Sequence, residues 1–227
     1  MNQSDYWSSV ADSRNFTTIF DEKVFRNYVS KNSKILDVGC GYGRTLNELY
    51  HAGYKNLVGV DSSAGMLERG KREFPYLNFV QNSTDLPFDD NQFDAVILFG
   101  VLCSVVNENA QRNLIDEIKR VLKPNGIIYV NDFLINNDIK SIFKYVKFMI
   151  KYNTYGVYKL KDGGILRHHT NQYIKDLFAD FYELEYGKTK FKTVKVYYEP
   201  NNMNNYFVDT TGLFNETDRI NDGVVYH

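Results

Sequence analysis

Residues 35–44 read ILDVGCGYGR, and this stretch restricts the possible folds more than any other part of the chain. An apolar run, Ile35, Leu36 and Val38, contains one acidic residue, Asp37, and gives way to Gly39, Gly41 and Gly43. Apolar side chains leading straight into closely spaced glycines predict a buried strand that turns sharply into a helix. Glycine suits such a turn because the backbone takes φ > 0 there and approaches a ligand with no Cβ in the way.

From Lys34 onward the hydrophobic pattern alternates between two periods. Strands are predicted near 34–38, 57–60, 77–80, 93–99 and 127–130. The nearly continuous apolar run FDAVILF at 93–99 marks a central parallel strand. A helix beginning near Gly43 shows Leu46, Leu49 and Tyr50 on one face, and a second covers 63–73, stopping before Pro75. A third carries Leu114, Ile115, Ile118, Val121 and Leu122. KPNG at 123–126 reads as a turn. This alternation predicts an α/β fold: a doubly wound, Rossmann-like sheet, mostly parallel, with helices on both faces.

The flanks are less regular. Residues 1–30 read as short N-terminal cap helices rich in aromatics. There Tyr6 and Trp7 are candidates either for an aromatic cap over a ligand or for simple packing. Residues 135–169 read as a lid-like insertion, and no linker divides the 227 residues into more than one domain. Within the insertion a helix over 138–152 carries Lys140, Lys144, Lys147 and Lys151 on one face and apolar residues over most of the rest. An extended ILRHH follows at 165–169, then a helix capped by Thr170 with Tyr173, Ile174, Leu177 and Phe178 inward. A strand is expected over 181–195 and a last one over 206–209. For 211–227 the pattern assigns nothing.

Hydrophobic residues at 43% and charged residues at 24% suit a globular core, and a net charge of −1 gives no sign of a nucleic-acid partner. The polar, acidic start does not read as a signal peptide, and no uncharged run approaches the ~18–20 residues of a membrane span. Cys40 and Cys103 are the only cysteines, so a reducing cytoplasm is the expected setting. The 18 Tyr and 16 Phe suit a pocket for an apolar or cationic molecule as well as a bulky core.

A glycine turn after a first strand can cradle the pyrophosphate of a dinucleotide or the amino-acid end of S-adenosylmethionine (SAM). The dinucleotide fingerprint is G-x-G-x-x-G. Here the spacing is G-x-G-x-G, followed by Arg44, which is wrong for NAD. Asp61, at the end of the second strand, can accept both hydroxyls of a ribose, a group common to the two ligands.

These residues resemble the class I SAM-dependent methyltransferase family. ILDVGCGYGR is similar to its first motif and VGVDSSAGML (58–67) to its second. QNSTDLPFDDNQFDAVILFGVL (81–102) is similar to the third and fourth, and IKRVLKPNGIIYV (118–130) to the segment entering the fifth strand. The resemblance covers roughly residues 33–134. It implies a seven-stranded sheet with an antiparallel last strand and SAM as cofactor, with S-adenosylhomocysteine as product and no metal. It further implies that Gly39, Cys40, Gly41 and Gly43 approach the methionine part of SAM. Asp37 would hold the ammonium, Asp61 and Ser62 the ribose, and Met66 would pack near the adenine. Asn82 and Ser83 stand where many members have Asp-Ala, so Asn82 would accept from the adenine amino group without a charge. Phe99, Gly100 and Leu102 would line the methionine and ribose, with core packing as the alternative for Phe99 and Leu102.

The acceptor is harder to read. The residues 99–104, FGVLCS, lack the motif of amino-DNA methyltransferases. Cys103 reads as a small buried residue rather than a nucleophile. His168 or His169 is a candidate general base at neutral pH; adjacent residues of an extended piece face opposite ways, so at most one reaches a pocket. The competing reading ties the insertion to the sheet through Arg167 and one histidine. The lysine-bearing helix reads as a solvated face, an anionic-substrate or RNA contact, or a membrane-surface element. A lid whose apolar side closes the pocket explains it best. The expected function is methyl transfer to O or N, with S as a further option, of a small molecule, with no DNA, RNA or membrane partner. Transfer to tRNA or protein, and SAM binding without catalysis, are the alternatives. Nothing in the sequence specifies an oligomeric state.

Overall fold

The computed structural model describes residues 3–82, 85–186, 189–191, 217–219 and 224–226. Two short helices, α1 (Gln3–Ser9) and α2 (Glu22–Tyr28), precede β1 (Ile35–Val38). Then α3 (Arg44–His51), β2 (Leu57–Asp61), α4 (Ala64–Glu73), β3 (Asn78–Gln81), β4 (Phe93–Phe99), α5 (Glu108–Val121) and β5 (Leu122–Asn131) follow. The later elements are α6 (Ile139–Tyr152), β6 (Val157–Lys159), β7 (Ile165–Arg167), α7 (Asn171–Leu177) and β8 (Glu183–Glu185), with β9 (Thr189–Phe191), β10 (Thr217–Arg219) and β11 (Val224–Tyr226) after them.

Five strands pair in parallel in the order β3-β2-β1-β4-β5. Beyond β5, β11 runs antiparallel both to β5 and to β8. Side-chain alternation along the strands splits the core between two faces. Leu36, Val38, Val96 and Leu98 pack with Ile115, Ile118 and Val121 of α5 and Ile174 of α7. Ile35, Ala95 and Ile97 face the other way, onto Phe25 of α2, Leu46 and Leu49 of α3, and Leu67 of α4. The buried apolar positions of the central strands thus face helices on both sides, as a sheet sandwiched between helical layers requires.

Helix starts follow from their caps. The side chains of Asp21, Ser63, Asn107, Asp138 and Thr170 each accept a hydrogen bond from the backbone N–H three residues on. Three sequence expectations change. KPNG is not a turn ahead of the strand but a bulge inside β5: Phe93 pairs with Leu122 and Ala95 with Ile127, and Asn125 takes φ 64°. The strand expected over 181–195 is broken, with β8 and β9 as separate pieces and Tyr186 between them on the described side. The strand expected over 206–209 lies outside the described residues. The third change is the largest. Helix α6 forms where expected, but its apolar side does not close the pocket: Phe143 is 71% and Ile150 87% exposed, and only Ser141 and Tyr145 are buried.

Candidate active site

The carboxyl ends of β1, β2, β4 and β5 converge on a cavity of about 470 Å³. At the end of β1 the chain turns through Gly39 (φ 68°), Cys40 and Gly41 (φ 55°). Positive φ strains any residue with a Cβ. Space forbids one too: a Cβ on Gly39 would come within 2.6 Å of Val101, and one on Gly41 within 2.9 Å of Phe16. The turn is pinned from β2. Gly39 N–H donates to the Val60 carbonyl (2.8 Å), and Gly41 N–H donates to Asp61 Oδ2 (2.8 Å). The other oxygen of Asp61 accepts from Ser63 N–H (2.8 Å), so this carboxylate links the glycine turn to the start of α4.

Two acidic groups border the floor. Asp37 is 2% exposed yet lines the cavity, and no side-chain hydrogen bond satisfies it among the described residues. Burial pushes its pKa up to about 8; the Arg44 guanidinium pulls it down and the Asp61 charge adds to the rise. Burial also raises Asp61, against the backbone N–H donors of Ser63 and Gly41 that hold it down. A buried carboxyl without a partner, beside a backbone cradle that excludes side chains, fits a ligand that brings its own cation. Ser62, Met66, Asn82, Phe99, Gly100 and Cys103 also line the cavity. Ser83 lies outside the described residues.

The remaining candidates are elsewhere. Gly43 is the left-handed N-cap of α3 (φ 84°), against the ring of Phe79. Leu102 is fully buried in the core. Neither histidine lines the cavity. His168 is held between the hydroxyls of Tyr145 (2.7 Å from Nδ1) and Tyr158 (2.9 Å from Nε2), and it stacks behind Phe133, which does line the cavity. His169 is 1% exposed, and burial drives its pKa down to about 3. The Gln111 amide donates to the carbonyls of Leu102 (3.0 Å) and Val105 (2.6 Å), and its Nε2 lies 2.9 Å from His169 Nε2. His169 Nδ1 lies 4.0 Å from Asp132 Oδ1. Asp132, raised to about 7 by burial, accepts from the backbone N–H groups of Cys103 and Phe133. Arg167 pairs with Glu108 (2.7 Å) and donates to the Val106 carbonyl. These groups join the end of the insertion to α5 and to the segment that follows β5.

The roof is a segment the sequence reading left loosely defined. Trp7, Arg14 and Phe16 line the cavity from residues 3–20, and Leu160 and Leu166 line it from the β6–β7 hairpin. Phe16 stacks on Tyr42 (5.5 Å, 7°). Tyr6 lies behind the roof: its hydroxyl donates to Asp162 Oδ1 (3.0 Å) and accepts from Arg14 (2.8 Å). Arg69, 8% exposed, reaches up from α4 to the carbonyls of Ala11 and Arg14 (2.8 Å each) and to Asn15 (2.9 Å), with its guanidinium 3.8 Å from the Tyr42 ring. Asn131 and Phe133, also missed, follow from the rule that ligands bind at the carboxyl ends of parallel strands. Among the described residues no cluster of three or more His, Cys, Asp or Glu could hold a metal ion, and no helix is long and apolar enough to cross a membrane.

A parallel Rossmann-like sheet with a glycine turn after β1 and an acidic residue ending β2 defines a nucleotide-type cofactor site. Residues 36–130 match the family model described as a methyltransferase domain. The protein MJ1252 of Methanocaldococcus jannaschii is 29% identical over 82% of this chain and 73% of its own length. The demethylmenaquinone methyltransferase of Renibacterium salmoninarum is 41% identical over 44% of this chain, which spans only 41% of that relative. A crystal structure of a SAM-dependent methyltransferase from Methanosarcina mazei superposes with a TM-score of 0.75 at 20% identity, covering 92% of this chain and 98% of the other. Residues 36–130 thus form a methyltransferase domain, and the site is that of an enzyme whose methyl donor is SAM.

Proposed function

We propose that this chain transfers the methyl group of SAM to a small, largely apolar molecule by in-line displacement, the acceptor atom being oxygen or nitrogen. One observation carries this reading: a single cavity has an acidic, glycine-lined floor and an apolar roof. When bound, SAM supplies a methyl group on a sulfonium that is already activated for displacement. On the floor, Asp37 would take the ammonium and Asp61 the ribose hydroxyls. Met66 would pack on the adenine beside Phe99 and Gly100. Asn82 donates its Nδ2 to the Asp85 carbonyl, which turns Oδ1 outward as the acceptor for an adenine amino group.

At the other end Trp7, Val105, Leu114, Phe133, Leu160 and Leu166 form an apolar wall, with Cys103 and Ser104 as small polar interruptions. The described lining holds no histidine and no carboxylate besides Asp37 and Asp61. An acceptor that is nucleophilic by itself suits this lining, and the chain contributes orientation, worth ~7–11 kcal/mol, and exclusion of water. The enclosed site favours a small acceptor over tRNA or protein. The arm at 3–20 and the β6–β7 hairpin act together as the lid of one domain. In the same reading, β11 and β8 complete a seven-stranded sheet whose last strand is antiparallel. A second reading, favoured by the match to a demethylmenaquinone methyltransferase, places the methyl on a ring carbon of a quinone-type acceptor.

Titration of the purified chain with SAM, S-adenosylhomocysteine and NAD tests the donor half. SAM and S-adenosylhomocysteine binding is expected; NAD binding without SAM binding would overturn it. Transfer of label from methyl-tritiated SAM to apolar phenols, amines and quinols, with tRNA and mixed protein as controls, tests the acceptor half. Label appearing only in tRNA or protein would reject the small-molecule reading.

A further inference from the structure

Helix α6 presents a face that nothing among the described residues covers. Taken around the helix at 100° per residue, Met149, Ile142, Val146, Ile139, Ile150 and Phe143 form one continuous arc of roughly 120°. All six are exposed, from 38% for Ile142 to 87% for Ile150. Lys147, Lys140 and Lys151 occupy the next ~40° of the wheel and are exposed as well. Among the described residues none of these three makes an ion pair. Lys144 is different: it turns back over the Tyr158 ring at 3.6 Å. The buried side of α6, through Tyr145, rests on the layer beneath.

An apolar stripe edged by cations on a convex helix has the layout of an element that lies in a membrane interface. Charge decides between lipid and a second copy of the chain. Segment 138–161 carries six Lys against one Asp, a local +5, and the chain's −1 leaves −6 for the remainder. An acidic surface would attract this face and repel the rest of the molecule. A two-fold contact between copies would bring the same lysines together. We infer that the outer face of α6 docks on the surface of an anionic lipid bilayer, against the sequence expectation of no membrane partner. Phe143 and Ile150 enter the acyl boundary while Lys140, Lys147 and Lys151 contact the headgroups. Because α6 runs directly into the β6–β7 hairpin, whose Leu160 and Leu166 line the cavity, docking would seat the cavity wall beside the lipid.

Co-sedimentation of the full chain with phosphatidylglycerol-rich and pure phosphatidylcholine vesicles tests this. Binding to the anionic vesicles, weakened by salt, is expected. Replacing Lys140, Lys147 and Lys151 by Glu should weaken it at least about a hundredfold, at roughly fivefold for each cation lost. Phe143→Asp and Ile150→Asp should each weaken it roughly ten- to hundredfold. All variants should keep S-adenosylhomocysteine binding and the circular dichroism of the parent, so failure here leaves the methyltransferase reading untouched. The inference is overturned if the parent stays in the supernatant at low salt, if pure phosphatidylcholine binds it equally, or if the variants bind like the parent. It is also overturned if light scattering shows a dimer that Phe143→Asp with Ile150→Asp splits, which would give the face to a second copy.

Discussion

The arm at 3–20 and helix α6 invert what their sequences suggest. The arm has one short helix and mixes polar with aromatic residues without a regular pattern, yet it is fastened at several points: Tyr6 and Arg14 to Asp162, Gln3 to the carbonyls of Ser104 and Ile165, and three acceptors to Arg69. Helix α6 has 14 regular residues and a broad apolar surface, yet it buries only Ser141 and Tyr145. Regularity reports local hydrogen bonding and amphipathicity. Which segment closes a site depends on partners supplied from distant parts of the chain.

The sharpest way to break the contrast is Arg69→Met. It leaves the carbonyls of Ala11 and Arg14 and the Asn15 amide without their donor, at an expected cost of about 3–5 kcal/mol in chemical denaturation. Affinity for S-adenosylhomocysteine should fall with it, because the roof detaches. Phe143→Asp on α6 should change stability by no more than about 0.5 kcal/mol and leave that affinity alone. Equal losses from the two substitutions would erase the distinction.

Next in size is the pH dependence of ligand binding. Asp37 has its pKa raised to about 8, so it is largely neutral below that value in the free chain. A ligand ammonium requires the carboxylate, so S-adenosylhomocysteine affinity should fall up to about tenfold per pH unit from 8 toward 6. Asp37→Asn should flatten the slope, while α6 variants should keep it. Stability of the free chain moves the other way. A group protonated in the native state up to about pH 8 but ionised in the unfolded state above about pH 4 contributes stability that is lost as pH rises across that window. Calorimetric melts with and without ligand should therefore separate increasingly toward pH 8. Gly164→Ala follows: a Cβ there would lie within 2.4 Å of the Tyr6 ring, and about 1–3 kcal/mol of overpacking is expected at the joint between arm and hairpin.

The donor half was legible because its constraints are local. A strand ending in glycines with positive φ, and an acid at the end of the next strand, can each be read within a few residues. The parallel core follows from the same alternation. The two histidines lie off the cavity lining, and alternation says only that they face opposite ways. It cannot say that both sides are filled, one by Tyr145 and Tyr158, the other by Gln111 and Tyr173. Likewise the apolar pattern of α6 announced a face needing cover but held no sign that the described residues provide none. Arg69 reads in sequence as one more surface cation on a helix, and nothing near it in the chain points to the arm 55–58 residues earlier.

Tyr6→Phe is the mildest test and the most selective. It keeps the ring that fills the space against Gly164 and the edge contact with Trp7 (5.0 Å), and removes only the hydroxyl. That hydroxyl donates to Asp162 and accepts from Arg14, while Arg14 keeps its own ion pair with Asp162. The pair is partly exposed and water can replace the lost bond, so about 1 kcal/mol is expected. If the arm is a lid that opens for each turnover, this small loss should appear first as faster release of S-adenosylhomocysteine, with little change in its association rate. An unchanged release rate alongside a lowered melting temperature would make Tyr6 a brace of the fold, and would leave the hairpin, through Leu160 and Leu166, as the part that opens.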